Sequence, residues 1–506
     1  VHSLGENEVS RTLARNRLTW RSLGGFVLAA AAPLTVVGAG VTNGWAVTGL
    51  VDIPAAYVVT AVVLGLFAVG YTAMARRLPN AGAFYTLLAR GLGRPAGVAA
   101  GFVAVVSYLA MQVGLVGGLG VIGADSLHQV FGVSVAWWVV AGVGWAVIGL
   151  FGIARIDLNG RVLAILLLVE CALIVVFDLV ELAHPYRGQV SVAAVSPTGL
   201  VTGGVTAGLV AAVIAVTGFV GFEDAPNYAE EARPGAPTRA VVVSLVVTAV
   251  LYAGSSWAMT VTAGPANVVA GSRKYFSEYM FVLVGGYVPH VMIDLGRLLI
   301  MTSLFAAALA FHNTVNRYVF SMSRDRALPY GLSRTWTRFQ SPAPASALQT
   351  ALTAVVLVAV LAAGVDPQTV LFFGGTVAAG LGVVVLLTGC CAAMIAWFAR
   401  YRQAETRWQA FVAPALAGVG LAVITVVTMV HVDTLMGAAP GSTVTWLLPT
   451  GLGAVAALGV LVALTLRLVR PAAYRRIGQA GDERFVPGGA HAAVPSGAVV
   501  LDGDQR

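Results

Sequence analysis

The sequence predicts an all-helical, polytopic membrane protein with twelve transmembrane helices, and three observations carry that prediction. The chain of 506 residues is 58% hydrophobic and only 10% charged, with a mean hydropathy of +0.85, which is too apolar for a soluble domain. Its apolar windows repeatedly reach the roughly 20 residues needed to cross a hydrocarbon core as a helix, and they lack the alternating pattern of barrel strands. Its basic residues gather in alternate connections, as the positive-inside rule requires. The net charge of +8 therefore does not point to nucleic acid, because the cations lie between spans rather than on a soluble face. Cys171, Cys390 and Cys391 fall inside apolar spans, with neither a disulfide framework nor a metal-ligand spacing. No cofactor and no metal are expected, and nothing in the sequence defines an oligomeric state.

Taken in order, Arg11, Arg15, Arg17 and Arg21 precede the first span, Leu23–Trp45. It has no clear cleavage site and is read as a retained helix rather than a signal peptide. Apolar windows and their breakers then place spans at Ile53–Ala75, Ala96–Ile122, Ser134–Ile153, Val162–Leu182 and Leu200–Phe222. They continue at Ala240–Thr262, Tyr287–Val319, Ala345–Ala363, Thr369–Phe398, Phe411–His431 and Thr445–Leu468. With the amino terminus inside, the cytoplasmic connections hold Arg76, Arg77, Arg90, Arg94, Arg155, Arg233, Arg239, Arg324, Arg326, Arg334, Arg338, Arg400, Arg402 and Arg407. The other side holds Arg187, Arg273 and Lys274. This asymmetry predicts both termini in the cytoplasm and an even number of spans. Arginine replaces lysine almost throughout, and with the abundance of Ala, Gly and Val this suggests a high-GC bacterial genome and hence a bacterial cytoplasmic membrane.

Two connections are longer than turns. Leu78–Arg94 is expected to form a short surface helix on the cytoplasmic side, and Gly264–Gly286 another outside. The tail from Arg470 onward, rich in Gly, Pro and charge, is expected to be disordered.

The stretch Gly203–Pro234 stands apart. Gly218, Gly221 and Pro226 surround Glu223 and Asp224, so a membrane-length helix is loosened where it also gains charge. An acid away from water costs about 2.5–3.5 kcal/mol on insertion scales. Two readings follow: Val201–Phe222 crosses and Glu223 marks its end, or the helix breaks beside a polar cavity. Span one is similarly interrupted by Pro33 and Thr35. Discontinuous helices at corresponding places in two halves point to a transporter built from inverted repeats. Each break offers amides to a carboxylate and carbonyls to a cation, and an amino acid carries both.

Three motifs then acquire a family. They are P-N-A-G-A-F-Y at Pro79–Tyr85, G-F-E-D-A with A-E-E-A-R-P after Thr217, and F-H-N-T-V-N-R-Y-V-F-S-M-S-R-D-R-A-L-P at Phe311–Pro329. In this order on a twelve-span frame, the chain over roughly residues 20–470 resembles the amino acid, polyamine and organocation superfamily, in its bacterial amino acid permease branch. The resemblance implies a LeuT-like fold. It implies a cytoplasmic tail at 1–22, a first repeat at 23–182, an external linker at 183–199 and a second repeat at 200–398. A loop and two extra helices at 399–468 and a cytoplasmic tail at 469–506 complete it. It further implies a substrate pocket at the breaks, with spans three, eight and ten contributing.

Carried over by position, the unwound segments are about Ala31–Val36 and Thr217–Glu223. The backbone of Ala32, Pro33, Leu34 and Thr35, with Val36 beside it, is expected to receive a carboxylate, and the carbonyls of Phe219 and Val220 an ammonium. Tyr108, Phe219 and Phe222 are candidates for the pocket wall or its lid, with core packing as the alternative. Thr217 stands where family members often carry a gating tryptophan. Glu170 stands where several carry a titratable lysine, and it is expected to carry a coupling proton or else to hydrogen-bond a neighbouring backbone permanently. Sodium is the competing ion, through the adjacent hydroxyls of Thr302 and Ser303, although hydroxyls in membrane helices more often bond their own backbone. Asn313 and Arg317, one turn apart, are expected at an inner gate. Glu230, Glu231 and Arg233 are read first as a solvated cluster, and His312 as a packed side chain.

The expected function is alternating-access transport of an amino acid. A neutral one is the first choice, and a cationic amino acid or polyamine is the alternative should Glu223 face the pocket. A membrane sensor that binds without transporting is the rival from another class. An integral-membrane enzyme is disfavoured, because the seven histidines are scattered and no nucleophile–base cluster lies at one face.

Overall fold

The structure is a computed structural model and describes residues 13, 16–154, 156–336, 340–401, 405–439 and 441–479. Its long helices are α1 Trp20–Thr48, α2 Ile53–Ala75, α3 Arg94–Phe131, α4 Trp137–Ile153, α5 Ile156–Ala183 and α6 Val205–Tyr228. They continue as α7 Ala236–Ala263, α8 His290–Arg324, α9 Ala343–Ala363, α10 Gln368–Arg400, α11 Trp408–Val430 and α12 Val444–Val469. Among the described residues eleven helices are long and apolar enough to cross a membrane, and α4 is a shorter apolar helix of 17 residues. No strand is present among them beyond the isolated bridges Leu18–Ala232 and Trp336–Ser341. The protein is a polytopic helical membrane protein.

Helix α3 runs through the centre, packed against α8, α10 and α12. Small residues let α3 and α10 touch backbone to backbone: a Cβ on Gly375 would stand 2.7 Å from the Ala110 carbonyl oxygen. Such close approach supplies the dispersion contacts that replace the hydrophobic effect between helices in lipid. The perimeter is apolar and unburied, with Leu168, Val291 and Leu468 all at least 70% exposed. These are the faces that lipid covers.

Two helices are discontinuous. In α1 the first half ends at Ala30, and Ala32 adopts φ 43°, ψ 64° before Pro33 restarts the helix. Proline has no N–H, and a left-handed alanine ahead of it is strained by about 1–3 kcal/mol. The freed groups find partners on other helices. The Leu34 amide donates to Glu170 Oε1 on α5 at 2.8 Å, and the Ala31 carbonyl accepts from the Tyr252 hydroxyl on α7 at 2.7 Å. In α6 the first half ends at Phe219, the chain turns through Val220 and Gly221 (φ 114°), and a 3₁₀ segment follows at Phe222–Tyr228. Here Gly221 N–H donates to Glu223 Oε2 at 2.9 Å, and the Glu223 carbonyl accepts from Tyr71 at 2.9 Å. The breaks meet: a Cβ on Gly221 would lie 2.7 Å from the Ala30 Cβ.

That contact makes Gly221→Ala a severe change. The left-handed φ alone costs an alanine about 1–2 kcal/mol, and the clash with Ala30 adds to it. Gly204 has φ 115° but nothing nearer its Cβ position than 4.0 Å, so Gly204→Ala carries the backbone cost alone. Thermal unfolding should show Gly221→Ala clearly less stable than Gly204→Ala. Equal losses would mean that the breaks do not press together.

Two expectations about connections need correction. The helix within Leu78–Arg94 spans Ala83–Gly91 and is buried rather than superficial. The Ala83 amide donates to Asn227 and the Phe84 amide to the Tyr318 hydroxyl, which tie its start to α6 and α8, while α3 and α10 pack along it. The tail is not irregular from Arg470. Pro471–Arg476 is helical, Ile477 is 2% exposed, and Arg94 stacks on Tyr474 with its guanidinium carbon 5.3 Å from the ring centre. The rest of the expected disordered tail, 480–506, lies outside the described residues. Beyond Gly264, two short helices, Val268–Tyr275 and Tyr279–Val284, form the connection, and Arg273 donates to the Ala46 carbonyl at the end of α1.

Candidate functional site

The two breaks open onto a cavity of about 120 Å³. Ala30, Ala31, Ala32, Thr35 and Val36 of α1 and Thr217, Gly218 and Val220 of α6 form its base, with Met111 and Phe311 beside them. It extends through Asn43, Phe372, Phe373, Thr376 and Leu435 toward the face opposite the arginine-rich one. No charged side chain lines it among the described residues. The hydroxyls of Thr217, Thr376 and Thr428 are spent on carbonyls of their own helices. The Thr35 hydroxyl is buried without a partner.

Of the residues singled out from the sequence, Ala32, Thr35, Val36, Thr217 and Val220 line the cavity. Pro33 and Leu34 do not, and the Leu34 amide is already engaged by Glu170. Phe219 packs into an aromatic cluster with Tyr57 and Tyr252, ring centres 6.0 and 5.4 Å away. Phe222, carried past the turn at Gly221, packs edge-on against Phe67 at 6.1 Å. Tyr108 lies one ring behind the cavity, stacked between Phe311 and Tyr318 at 5.8 Å from each. Its hydroxyl donates to Glu223 Oε1 at 2.7 Å. Glu223 is thus enclosed by Tyr108 and Gly221 rather than turned to the cavity. The Thr302 hydroxyl is spent on the Leu299 carbonyl. Ser303, buried close to Glu170, makes no hydrogen bond of ordinary geometry. His312 is buried and shares a 2.9 Å hydrogen bond with Ser346.

Below the breaks, toward the arginine-rich face, the protein is closed. Arg317 Nε donates to Glu231 Oε2 at 2.7 Å, the side chains only 3% and 2% exposed. The Arg317 Nη1 donates to the Asn313 carbonyl, and its guanidinium carbon sits 4.1 Å from the Tyr228 ring centre. Arg324 binds Glu230 through two bonds of 2.6 and 2.8 Å. Asp224 accepts from Thr314 and Asn227, and Asn80 accepts from Ser321 and from the Gly82 amide. Glu230 and Glu231 are therefore not a solvated cluster: they are drawn inward by Arg324 and Arg317, which lie about two turns apart on α8. The three motifs that carried the resemblance converge on this one closure. The segment before α1 joins it, since the Leu18 amide donates to the Glu231 carbonyl and the Arg233 amide to the Leu18 carbonyl.

Asp325, just past α8, closes the same face against the tail. Its Oδ2 accepts from the Tyr85 hydroxyl and the Gly478 amide, both at 2.8 Å. Burial outweighs these donors and pushes its carboxyl from 3.8 up to about 6. The folded chain holds this proton more tightly than the unfolded one. The contribution to stability is therefore full below about pH 4 and lost as pH rises through about 6, about 3 kcal/mol at most. Unfolding midpoints across that window should fall with pH in the native chain and fall less in Asp325→Asn. An identical pH dependence in the two would contradict the assignment.

A membrane bundle in which two interrupted helices meet at a small cavity, closed toward one face and reaching toward the other, has the build of a secondary transporter. The family model for amino acid permeases matches residues 18–455, and the chain belongs to that family. It is a transporter of amino acids or related organic cations rather than an enzyme. No curated protein matches the sequence.

Proposed function

We propose that the protein carries a neutral amino acid across the membrane by alternating access, with the arginine-rich face in the cytoplasm and a proton on Glu170 as the coupling ion. The observation that carries the substrate class is the cavity wall, which is apolar apart from hydroxyls, one amide and exposed backbone at the breaks. A zwitterion is held there by dipoles alone. Its carboxylate faces the restart of α1 near Thr35, and its ammonium faces the last carbonyls of the first half of α6. A second cationic group would have no partner, since Glu223 is enclosed by its own ligands.

The two breaks divide the chain as inverted repeats would, 23–182 and 200–398, with α1 and α6 as their first helices. The cavity reaching one face while ion pairs close the other corresponds to a carrier loaded from outside. The arginine asymmetry of the connections supports that orientation.

Thermal unfolding of the purified protein against a panel of neutral, acidic and basic amino acids and polyamines tests the substrate class. A ligand at 100 times its Kd stabilises the folded state by about 2.7 kcal/mol. Neutral amino acids are expected to raise the midpoint. A response confined to arginine, lysine or polyamines would overturn the neutral assignment.

A further inference from the structure

Outside the transport pathway, a groove at the arginine-rich face is lined by Thr19, Trp20, Arg21, Arg233, Pro234, Gly235, Ala236 and Arg239. Three guanidinium groups share it. The Arg239 carbon lies 4.0 Å from the Trp20 ring centre and that of Arg21 5.6 Å from it, so one indole gathers two cations. None of the three arginines forms an ion pair among the described residues. The neighbouring acids, Glu230 and Glu231, are committed to Arg324 and Arg317. Like charges held together without a counter-charge define a site for an anion.

The helix beneath says which anion. From Arg239 a stripe of valines descends α7 at helical spacing: Val242, Val246 and Val250, which are 47%, 57% and 69% exposed. A charged head at the end of an apolar stripe, with a tryptophan at the same level, matches a molecule that is anionic at one end and hydrocarbon along its length.

We propose that this groove binds the phosphodiester headgroup of an anionic phospholipid, its acyl chains lying along the α7 valines. The phosphate joins Arg21 at the start of α1 to Arg233 and Arg239 at the start of α7. These segments flank the Leu18–Glu231 and Arg233–Leu18 backbone bonds, so the lipid staples the first half of α1 to the closed side of the protein.

The test is thermal unfolding of the delipidated full-length protein with added phosphatidylglycerol, with phosphatidylcholine of the same chains, or with inorganic phosphate. Phosphatidylglycerol is expected to raise the midpoint and the other two to leave it unchanged. The increment is expected to vanish in the triple variant Arg21→Gln/Arg233→Gln/Arg239→Gln. Should that variant fail to fold, Arg233→Gln alone, an exposed side chain, is expected to weaken the lipid's apparent affinity about tenfold, the loss of one charge-assisted contact. Equal stabilisation by phosphatidylcholine, a full effect of inorganic phosphate alone, or an unchanged response in the arginine variants would each overturn the proposal.

Discussion

Replacing Glu170 by Gln should lower uptake driven by an acid-outside gradient by about two orders of magnitude, the scale on which losing a proton-carrying group acts. The substitution separates two roles of one side chain. Glutamine keeps an oxygen able to accept from the Leu34 amide, the bond of 2.8 Å that holds the restart of α1, but it cannot take up and release a proton. The fold should therefore survive, and exchange of substrate without net proton movement should persist. Glu170→Ala should do more harm to the fold, because it leaves a buried amide unsatisfied at a cost of about 1–3 kcal/mol. Proteoliposome uptake with and without sodium reads the outcome. Strict sodium dependence with a fully active Glu170→Gln would remove the proton reading and turn attention to Ser303. Thr302 would need to give up its bond to Leu299 to serve an ion.

Arg317→Met should be the most destabilising single change at the arginine-rich face. It strands the Glu231 carboxylate where almost no water reaches, and removing one partner of a buried pair typically costs about 3–5 kcal/mol. Neutralising both, in Arg317→Met/Glu231→Gln, should restore most of that loss, because the penalty lies in the uncompensated charge. Arg324 and Glu230 are 18% and 16% exposed, so Arg324→Gln should cost less. Unfolding midpoints of the three variants against the native chain decide it. A double variant as unstable as Arg317→Met would show that the pair is worth more than its cancelled charges. Because the same pair closes the protein below the cavity, the double variant should also open that side more readily, seen as faster labelling of a cysteine introduced at Thr314.

The membrane spans were legible because a bilayer demands long apolar runs, and α2 occupies the residues the hydropathy pattern marks. The breaks were legible for a related reason: Pro33 and Gly221 are local signals whose effect on the backbone needs no partner. The surroundings of the breaks were not. Whether Glu231 is solvated or buried depends on Arg317, 86 residues away in sequence, and an acid followed by an arginine in a loop reads the same in either case. Tyr108 carried a positional hint toward the pocket, but its hydroxyl belongs to Glu223. Asn43 and Phe373 had no local mark, since nothing in their neighbours reveals that they stand on one cavity wall. The helix at Ala83–Gly91 read as a surface element because its burial comes from α3 and α10 packed along it, not from its own pattern.

Counterflow in proteoliposomes tests the central claim most directly: vesicles loaded with an unlabelled neutral amino acid are given a trace of the labelled one outside. A carrier working at the meeting of the two broken helices accumulates label transiently above equilibrium, and Gly221→Val, which wedges the break against Ala30, abolishes the accumulation. Saturable binding of the label with no counterflow would contradict the account and leave a receptor in place of a transporter.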